Sequence, residues 1–162
     1  MRFALALLVA VLLAGCGDGG DPKRDPAARE TPTAAADPET AIREAFAAYN
    51  AALREHDFTG ACAQLAPETV TQMRANVEKL GVKDPPDGCS DLLDLIYEAA
   101  DKQPQQKQLL EEIVETAKID KIKVTGDEAV IDWSATADGS RSEVSQTARR
   151  IDGEWKLVDT TD

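Results

Sequence analysis

The chain has 162 residues and a formal net charge of −12, with 30 acidic side chains against 18 basic ones. This balance argues against a nucleic-acid-binding protein, because such proteins present a basic surface to the phosphates. It also argues against electrostatic attachment to anionic lipid, which requires basic clusters. Aromatic residues make up only 4% of the chain, so aliphatic side chains and alanine must fill the core.

The N-terminal segment has the pattern of an export signal. Arg2 precedes an uninterrupted apolar run over residues 3–13. As a helix this run would span about 16 Å, which is too short for a bilayer core of about 30 Å. The run is therefore typical of a signal peptide rather than a transmembrane anchor, and we assign residues 1–15 to a signal peptide.

The apolar run ends in Leu13-Ala14-Gly15-Cys16, which resembles the lipobox of bacterial lipoproteins. The resemblance implies that Cys16 carries a diacylglyceryl group and becomes the first residue of the mature chain. Two or three acyl chains such as palmitate anchor a protein almost permanently, because each buried methylene contributes about 0.8 kcal/mol. The expected location is the extracytoplasmic face of the cell membrane. An ordinary secretory signal with a chance cysteine is the alternative.

The segment after the lipobox is predicted to be a flexible linker. Residues 17–36 contain several glycines and prolines with scattered charges and no apolar periodicity. Such a composition is typical of a disordered spacer. The expected organisation is therefore a signal peptide over 1–15, the lipidated cysteine and linker over 16–36, and one folded domain over 37–162.

The two remaining cysteines, Cys62 and Cys89, are candidates for a disulfide. Disulfides persist in the oxidising compartments to which exported proteins are delivered. A bridge closing a loop of about 28 residues would stabilise the fold by about 3–4 kcal/mol on the chain-entropy estimate. Two unpaired buried thiols are the alternative.

Helical patterns follow one another from residue 37 to residue 117. Asp37 and Pro38 suit the N-cap and the first position of a helix, and apolar residues then recur at helical spacing up to about His56. Further helices are predicted to start at or just after four positions: Asp57, Pro67, Ser90 and Pro104.

After Lys118 the apolar pattern changes from helical to alternating. Three dipeptides predict hairpin turns between strands: Gly126-Asp127, Asp138-Gly139 and Asp152-Gly153. A two-residue loop in the last hairpin pairs Arg150 with Trp155. Helices followed by an antiparallel meander predict an α+β domain, with the helices on one face of the sheet.

The order of these elements resembles the nuclear transport factor 2-like (SnoaL-like) superfamily, and within it the small lipoproteins of high-GC bacteria. The matching features are a long first helix, an Asp-capped short helix carrying Ala61-Cys62-Ala63-Gln64-Leu65, and the terminal hairpin Arg150-Ile-Asp-Gly-Glu-Trp-Lys-Leu157. The resemblance covers about residues 38–159. It implies a cone, in which a curved antiparallel sheet wraps the long helix and leaves a pocket at its mouth. The family's early hairpin is not visible, and a helical pattern takes its place.

The family includes ketosteroid isomerases, polyketide cyclases and carriers, so the resemblance does not define a function. Tyr49, on the apolar stripe of the first helix, is a candidate pocket hydroxyl. Trp133 and Trp155 are candidates to line the pocket, and core packing is the alternative for all three. Asp57 is a candidate general base, but a role as helix N-cap is the favoured explanation.

No set of residues in the sequence has the pattern of a catalytic or metal site. His56 is the single histidine, so we expect no metal and no cofactor, and we assign no catalytic residue. We therefore expect a non-enzymatic, lipid-anchored domain that binds a small ligand or an envelope protein. The alternatives are a proton-transfer enzyme of the isomerase or cyclase kind, using Tyr49 and an acidic residue, and an accessory subunit of an envelope complex.

Overall fold

The computed structural model describes residues 37–158, in which helices are followed by strands. The predicted signal peptide, Cys16 and the linker lie outside the described residues. The helices are α1 Pro38–Glu55, α2 Phe58–Ala63, α3 Pro67–Lys79, α4 Cys89–Asp101 and α5 Pro104–Thr116. The strands are β1 Lys118–Thr125, β2 Glu128–Ala137, β3 Ser140–Ile151 and β4 Glu154–Val158. The predicted α+β class is confirmed. Within residues 37–158, no helix has both the length and the apolar character needed to span a membrane.

Short-range capping interactions define the first two helices. The Asp37 carboxylate accepts a hydrogen bond from the Thr40 backbone N–H at 3.2 Å, and α1 ends at His56 in the left-handed region, with φ of 57°. The Asp57 carboxylate accepts from the Gly60 N–H at 2.9 Å and so caps α2. A Cβ at position 60 would collide with the Asp57 carboxylate, so a larger residue than glycine there would displace the capping group. The predicted roles of both aspartates as N-caps are confirmed.

The fourth helix begins differently from the prediction. Its N-cap is Gly88, Cys89 is its first residue, and no side chain caps it, so the prediction that Ser90 caps this helix is wrong. Ser90 lies inside the first turn, where its hydroxyl donates to the Cys62 sulfur at 3.9 Å. The helix therefore begins two residues earlier than the capping pattern indicated.

The sheet is a simple antiparallel meander in the order β1-β2-β3-β4. The three predicted dipeptides form its turns, and Arg150 pairs with Trp155 as predicted. The register of β1 shifts between Ile119 and Lys121, which marks an irregularity near the start of that strand. Side chains then alternate between a face covered by helices and an exposed face.

The core lies between α1 and the sheet. Its buried members include Ile42 and Phe46 from α1 together with Ile131, Trp155 and Leu157 from the strands. α1 contacts both β1 and β4, which are the two edge strands of the sheet. A second buried cluster joins α1, α2, α4 and α5 and includes five residues: Ala52, Leu53, Ala61, Leu93 and Val114.

Two links hold the helical layer together and fix it to the sheet. Cys62 and Cys89 lie at disulfide distance, with their Cα atoms 5.9 Å apart, and connect α2 to the first turn of α4. The backbone of β4 exchanges hydrogen bonds with the α2–α3 junction: Leu157 donates to Gln64 at 2.8 Å and accepts from Ala66 at 2.9 Å. Residues Ala35–Asp162 make up one compact unit that contains both core clusters, so it holds the contacts needed to fold by itself.

Candidate functional site

A cleft of about 320 Å³ lies between α1, α3, α4 and β3, and we call it the tyrosine cleft. Its apolar lining consists of Leu65, Met73, Val77, Leu80 and Ile96. Its polar lining consists of Tyr49, Thr69, Asn76 and Gln146. The cleft therefore combines apolar walls with a few neutral hydrogen-bonding groups, which is the usual make-up of a small-molecule site.

Tyr49 is positioned by the rigid first helix. It follows Phe46 by three residues and precedes Leu53 by four, so helical geometry places it on the same inward stripe as these two buried side chains. Tyr49 is half-buried and packs against both core clusters. The side chain is thus held from two sides where it borders the cleft.

The wall opposite Tyr49 is formed by one side of α3. Met73, Val77 and Leu80 are spaced by four and three residues, so they share this side of the helix. Val77 is buried, whereas Leu80 is 84% exposed and forms an apolar rim at the cleft. At the other end of the helix, the buried Thr69 hydroxyl donates to the Leu157 carbonyl at 3.2 Å. The start of α3 is therefore fixed to the sheet, and its end borders the opening.

The polar groups of the cleft can exchange hydrogen bonds with a ligand. Gln146 projects from β3 on the helix-covered face, where it pairs in register with the buried Ile131. The Asn76 amide oxygen accepts from the Lys79 ammonium at 3.5 Å. The Asn76 and Gln146 amides offer donors and acceptors to a ligand, and no residue that lines the described cleft is acidic or basic. The arrangement suits a largely apolar, uncharged molecule with one or two polar groups.

The three aromatic residues predicted for the pocket do not meet in one place. Tyr49 lines the tyrosine cleft. Trp155 is 7% exposed and belongs to the core between α1 and the sheet. Trp133 packs against Phe46, with ring centroids 5.7 Å apart, and lines a different hollow with Asp120 and Arg141. The structure places only the tyrosine of this set at the cleft.

Asp57 and His56 lie at the junction of α1 and α2, and neither lines the cleft. The Asp57 carboxylate is engaged as the cap of α2. The His56 ring contacts the rings of Phe58 and Tyr97, with centroid separations of 5.7 Å and 5.1 Å. Burial raises the pKa of the Tyr97 phenol.

Within the part of the chain that the structure describes, no group of three or more His, Cys, Asp or Glu could hold a metal ion.

Several lining residues were not singled out from the sequence as functional. The helical period of α3 marks Met73 and Val77 as inward-facing, but it does not say that they face a cavity rather than a filled core. Gln146 lies two residues from Ala148 and therefore shares its face of β3, so strand alternation was a usable signal for it. Ile96 and Leu80 become cleft residues only through the packing of α3 beside α4.

No protein-family model, no curated protein and no solved structure matches the chain. The functional argument therefore depends on the geometry and chemistry of the described residues.

Proposed function

We propose that the protein is a lipid-anchored lipoprotein of the extracytoplasmic membrane face whose domain binds a small, largely apolar, uncharged ligand. The observation that carries the proposal is the tyrosine cleft, where apolar walls and four neutral polar side chains surround about 320 Å³. Sites of this kind bind ligands mainly by burying apolar surface, while a few polar groups set the orientation. The residues that act are Tyr49, Met73, Leu80, Ile96 and Gln146.

The lipid anchor is supported by Leu13-Ala14-Gly15-Cys16 at the end of a short apolar run. The disulfide-distance pair of Cys62 and Cys89 agrees with export, because disulfides persist outside the reducing cytosol. Mass spectrometry of the N-terminus of protein purified from its native membrane tests the anchor. We expect the chain to begin at Cys16 and to carry acyl chains. An unmodified N-terminus, or cleavage at another position, would contradict the proposal.

The proposal includes a cone-shaped fold of the nuclear transport factor 2-like kind, with α3 and α4 in place of the family's early hairpin. Four strands about 4.8 Å apart place the two edges of a sheet about 14 Å from each other. A helix about 10 Å wide on a flat sheet would contact mainly the central strands. The contacts of α1 with both β1 and β4 support a sheet that curves around this helix.

Binding of 1-naphthol, a neutral apolar alcohol, to Ala35–Asp162 tests the cleft. Leu80→Ser removes the apolar rim, and we expect binding to weaken by about fivefold, because part of the buried apolar contact is lost. Leu109→Ser is the matched control, since Leu109 is an exposed leucine on α5 that does not line the cleft. Equal effects of the two substitutions would contradict the assignment of the cleft.

A proton-transfer enzyme is the second candidate, favoured by the phenol of Tyr49 at the cleft. Such an enzyme needs a general base within hydrogen-bond reach of the substrate. Asp57 was the candidate base in the sequence, but its carboxylate accepts the capping hydrogen bond of α2. Tyr49→Phe removes the hydroxyl alone. This candidate predicts that the substitution abolishes turnover and leaves 1-naphthol bound, and unchanged turnover of every substrate tested would eliminate it.

An accessory subunit of an envelope complex is the third candidate. Leu80 and Val82 form an exposed apolar patch at the end of α3 that a neighbouring protein would cover. In that case Leu80→Ser would release a partner from detergent-solubilised membranes while leaving 1-naphthol binding unchanged.

A further inference from the structure

A second hollow, of about 280 Å³, borders a different side of α1, where this helix meets the start of β1. We call it the cationic groove and define it by Arg43, Phe46, Asn50, Arg54, Lys118 and Ile119. It shares no lining residue with the tyrosine cleft. The inference that follows stands apart from the proposed function.

The groove gathers three cations that form no salt bridge with the described residues. Among residues 37–158, no carboxylate lies within salt-bridge distance of Arg43, Arg54 or Lys118. Other cations of the domain, such as Arg74 and Lys107, do form such pairs. In a chain with a net charge of −12, three cations without a salt bridge around one concavity concentrate positive charge at that place, and Asp120, which interacts with the charge of Lys118, offsets part of it.

Rigid elements hold these cations in place. Arg43, Asn50 and Arg54 are separated by seven and four residues, so they lie on one side of α1. The Arg54 guanidinium donates to the Val114 carbonyl at 3.3 Å, in the last turn of α5, and a guanidinium has further N–H donors beyond this one. Lys118 is the first residue of β1.

The end of α5 that delivers Lys118 is itself tied to the sheet. The Thr116 hydroxyl donates to the Glu112 carbonyl at 2.6 Å and accepts from the Thr136 backbone N–H at 2.7 Å. This link fixes the position at which the chain leaves α5 and enters β1, and with it the third cation of the groove.

Beneath the cations, the floor of the groove is apolar. Phe46 is 6% exposed, and its ring is supported from behind by Trp133 at a centroid distance of 5.7 Å. Ile119 is half-buried beside it. A ligand in the groove would therefore meet carbon below and N–H donors around the rim.

We propose that the cationic groove binds a small organic anion, in which a phosphate or a similar anionic group is carried on an apolar body. The anionic group accepts charge-assisted hydrogen bonds from Arg43, Arg54 and Lys118, which are about twice as strong as neutral ones. The apolar body lies against Phe46 and Ile119. The opposing explanation for Arg54 is purely structural, since a cation near a helix C-terminus is favoured by the helix dipole.

An NMR titration of Ala35–Asp162 with 1-naphthyl phosphate distinguishes the two explanations. The variant Arg43→Gln/Arg54→Gln/Lys118→Gln removes the rim, and we expect binding about tenfold weaker. The control Lys83→Gln/Lys102→Gln/Lys123→Gln removes the same charge from exposed lysines outside the groove, and we expect binding within about twofold of wild type. Equal losses in the two variants would overturn the proposal.

Two further probes separate the parts of the ligand. We expect 1-naphthol and inorganic phosphate, each alone, to leave the amide shifts of residues 117–119, which line the groove and not the cleft, nearly unchanged where 1-naphthyl phosphate saturates them. Equal binding of 1-naphthol at these residues, or inorganic phosphate binding as tightly as 1-naphthyl phosphate, would overturn the proposal.

If the triple variant fails to fold, the single variants Arg43→Gln and Lys118→Gln provide the test. Both side chains are exposed, and each single change is expected to weaken binding of 1-naphthyl phosphate.

Discussion

The tyrosine cleft and the cationic groove both use α1 as a wall, yet they offer opposite chemistry to a ligand. The cleft is closed by α3, α4 and β3 and presents neutral groups. The groove is closed by the connection from α5 to β1 and presents three cations over a phenyl ring. One amphipathic helix thus supplies Tyr49 to the first cavity, and Phe46 with the cations of its flank to the second. The partner elements, not α1 alone, decide the chemistry of each.

The two cavities also differ in how firmly their walls are held. The groove side is built on the antiparallel ladder of β1 and β2 and on α5, which packs against β2. The cleft side depends on α3, which packs chiefly on α4 and β4. Fewer contacts per element mean a lower free energy of local opening. The cleft wall is therefore expected to open more readily than the groove.

The largest effect is expected from Phe46→Ala, which removes the floor of the groove. Phe46 is buried and contacts Trp133, so we expect the free energy of unfolding to fall by about 3–4 kcal/mol, as for other large-to-alanine changes in cores. Denaturant unfolding measures it. Phe46→Leu is the control, with an expected cost of about 1 kcal/mol. A loss below about 1 kcal/mol for Phe46→Ala would show that the groove floor is not part of the core.

Removing the disulfide separates the two sides of the molecule. Cys62→Ala/Cys89→Ala should lower the free energy of unfolding by about 3 kcal/mol, because the unfolded chain gains the freedom that the bridge removed. Hydrogen exchange should accelerate first in α2, α3 and α4, with β2 and β3 retaining the most protection. Uniform acceleration across all elements would contradict the difference between the cleft side and the groove side.

Most boundaries of the helices and strands could be predicted from the sequence. Local signals predicted the elements: Asp37, Asp57 and Pro67 mark helix starts, and Asp-Gly pairs mark hairpins, because capping and turn geometry depend on neighbouring residues. The prediction for Ser90 was wrong because its hydroxyl donates to the Cys62 sulfur and does not cap the helix.

The cavities were harder to predict than the elements. The tyrosine cleft joins Tyr49, Met73, Ile96 and Gln146, which are far apart in the chain and meet only through tertiary packing. Trp155 was a candidate to line the pocket, with core packing as the alternative, and the structure places it in the core, because strand alternation does not report depth. The resemblance to the nuclear transport factor 2-like superfamily predicted a pocket at the mouth of a cone, without indicating which side chains surround it.

A small effect is expected at the start of α3. Glu68 forms an ion pair with Arg149 of β3, and both side chains are about two-fifths exposed. Exposed pairs contribute little, so Glu68→Gln should lower the free energy of unfolding by at most about 1 kcal/mol. A double-mutant cycle with Arg149→Gln isolates the pair. A coupling energy above about 2 kcal/mol would show that this contact, and not the Thr69 and Leu157 hydrogen bond, holds the cleft wall to the sheet.

The separation of the two cavities is tested most directly by methyl NMR of Ala35–Asp162 with both naphthalene probes. We expect 1-naphthol to shift the methyl signals of Leu80 and Ile96, and 1-naphthyl phosphate to shift those of Ile119. Each probe should bind with the same affinity when the other is saturating. Competition between the probes, or shifts of Ile119 by 1-naphthol equal to those of Ile96, would contradict the existence of two distinct sites.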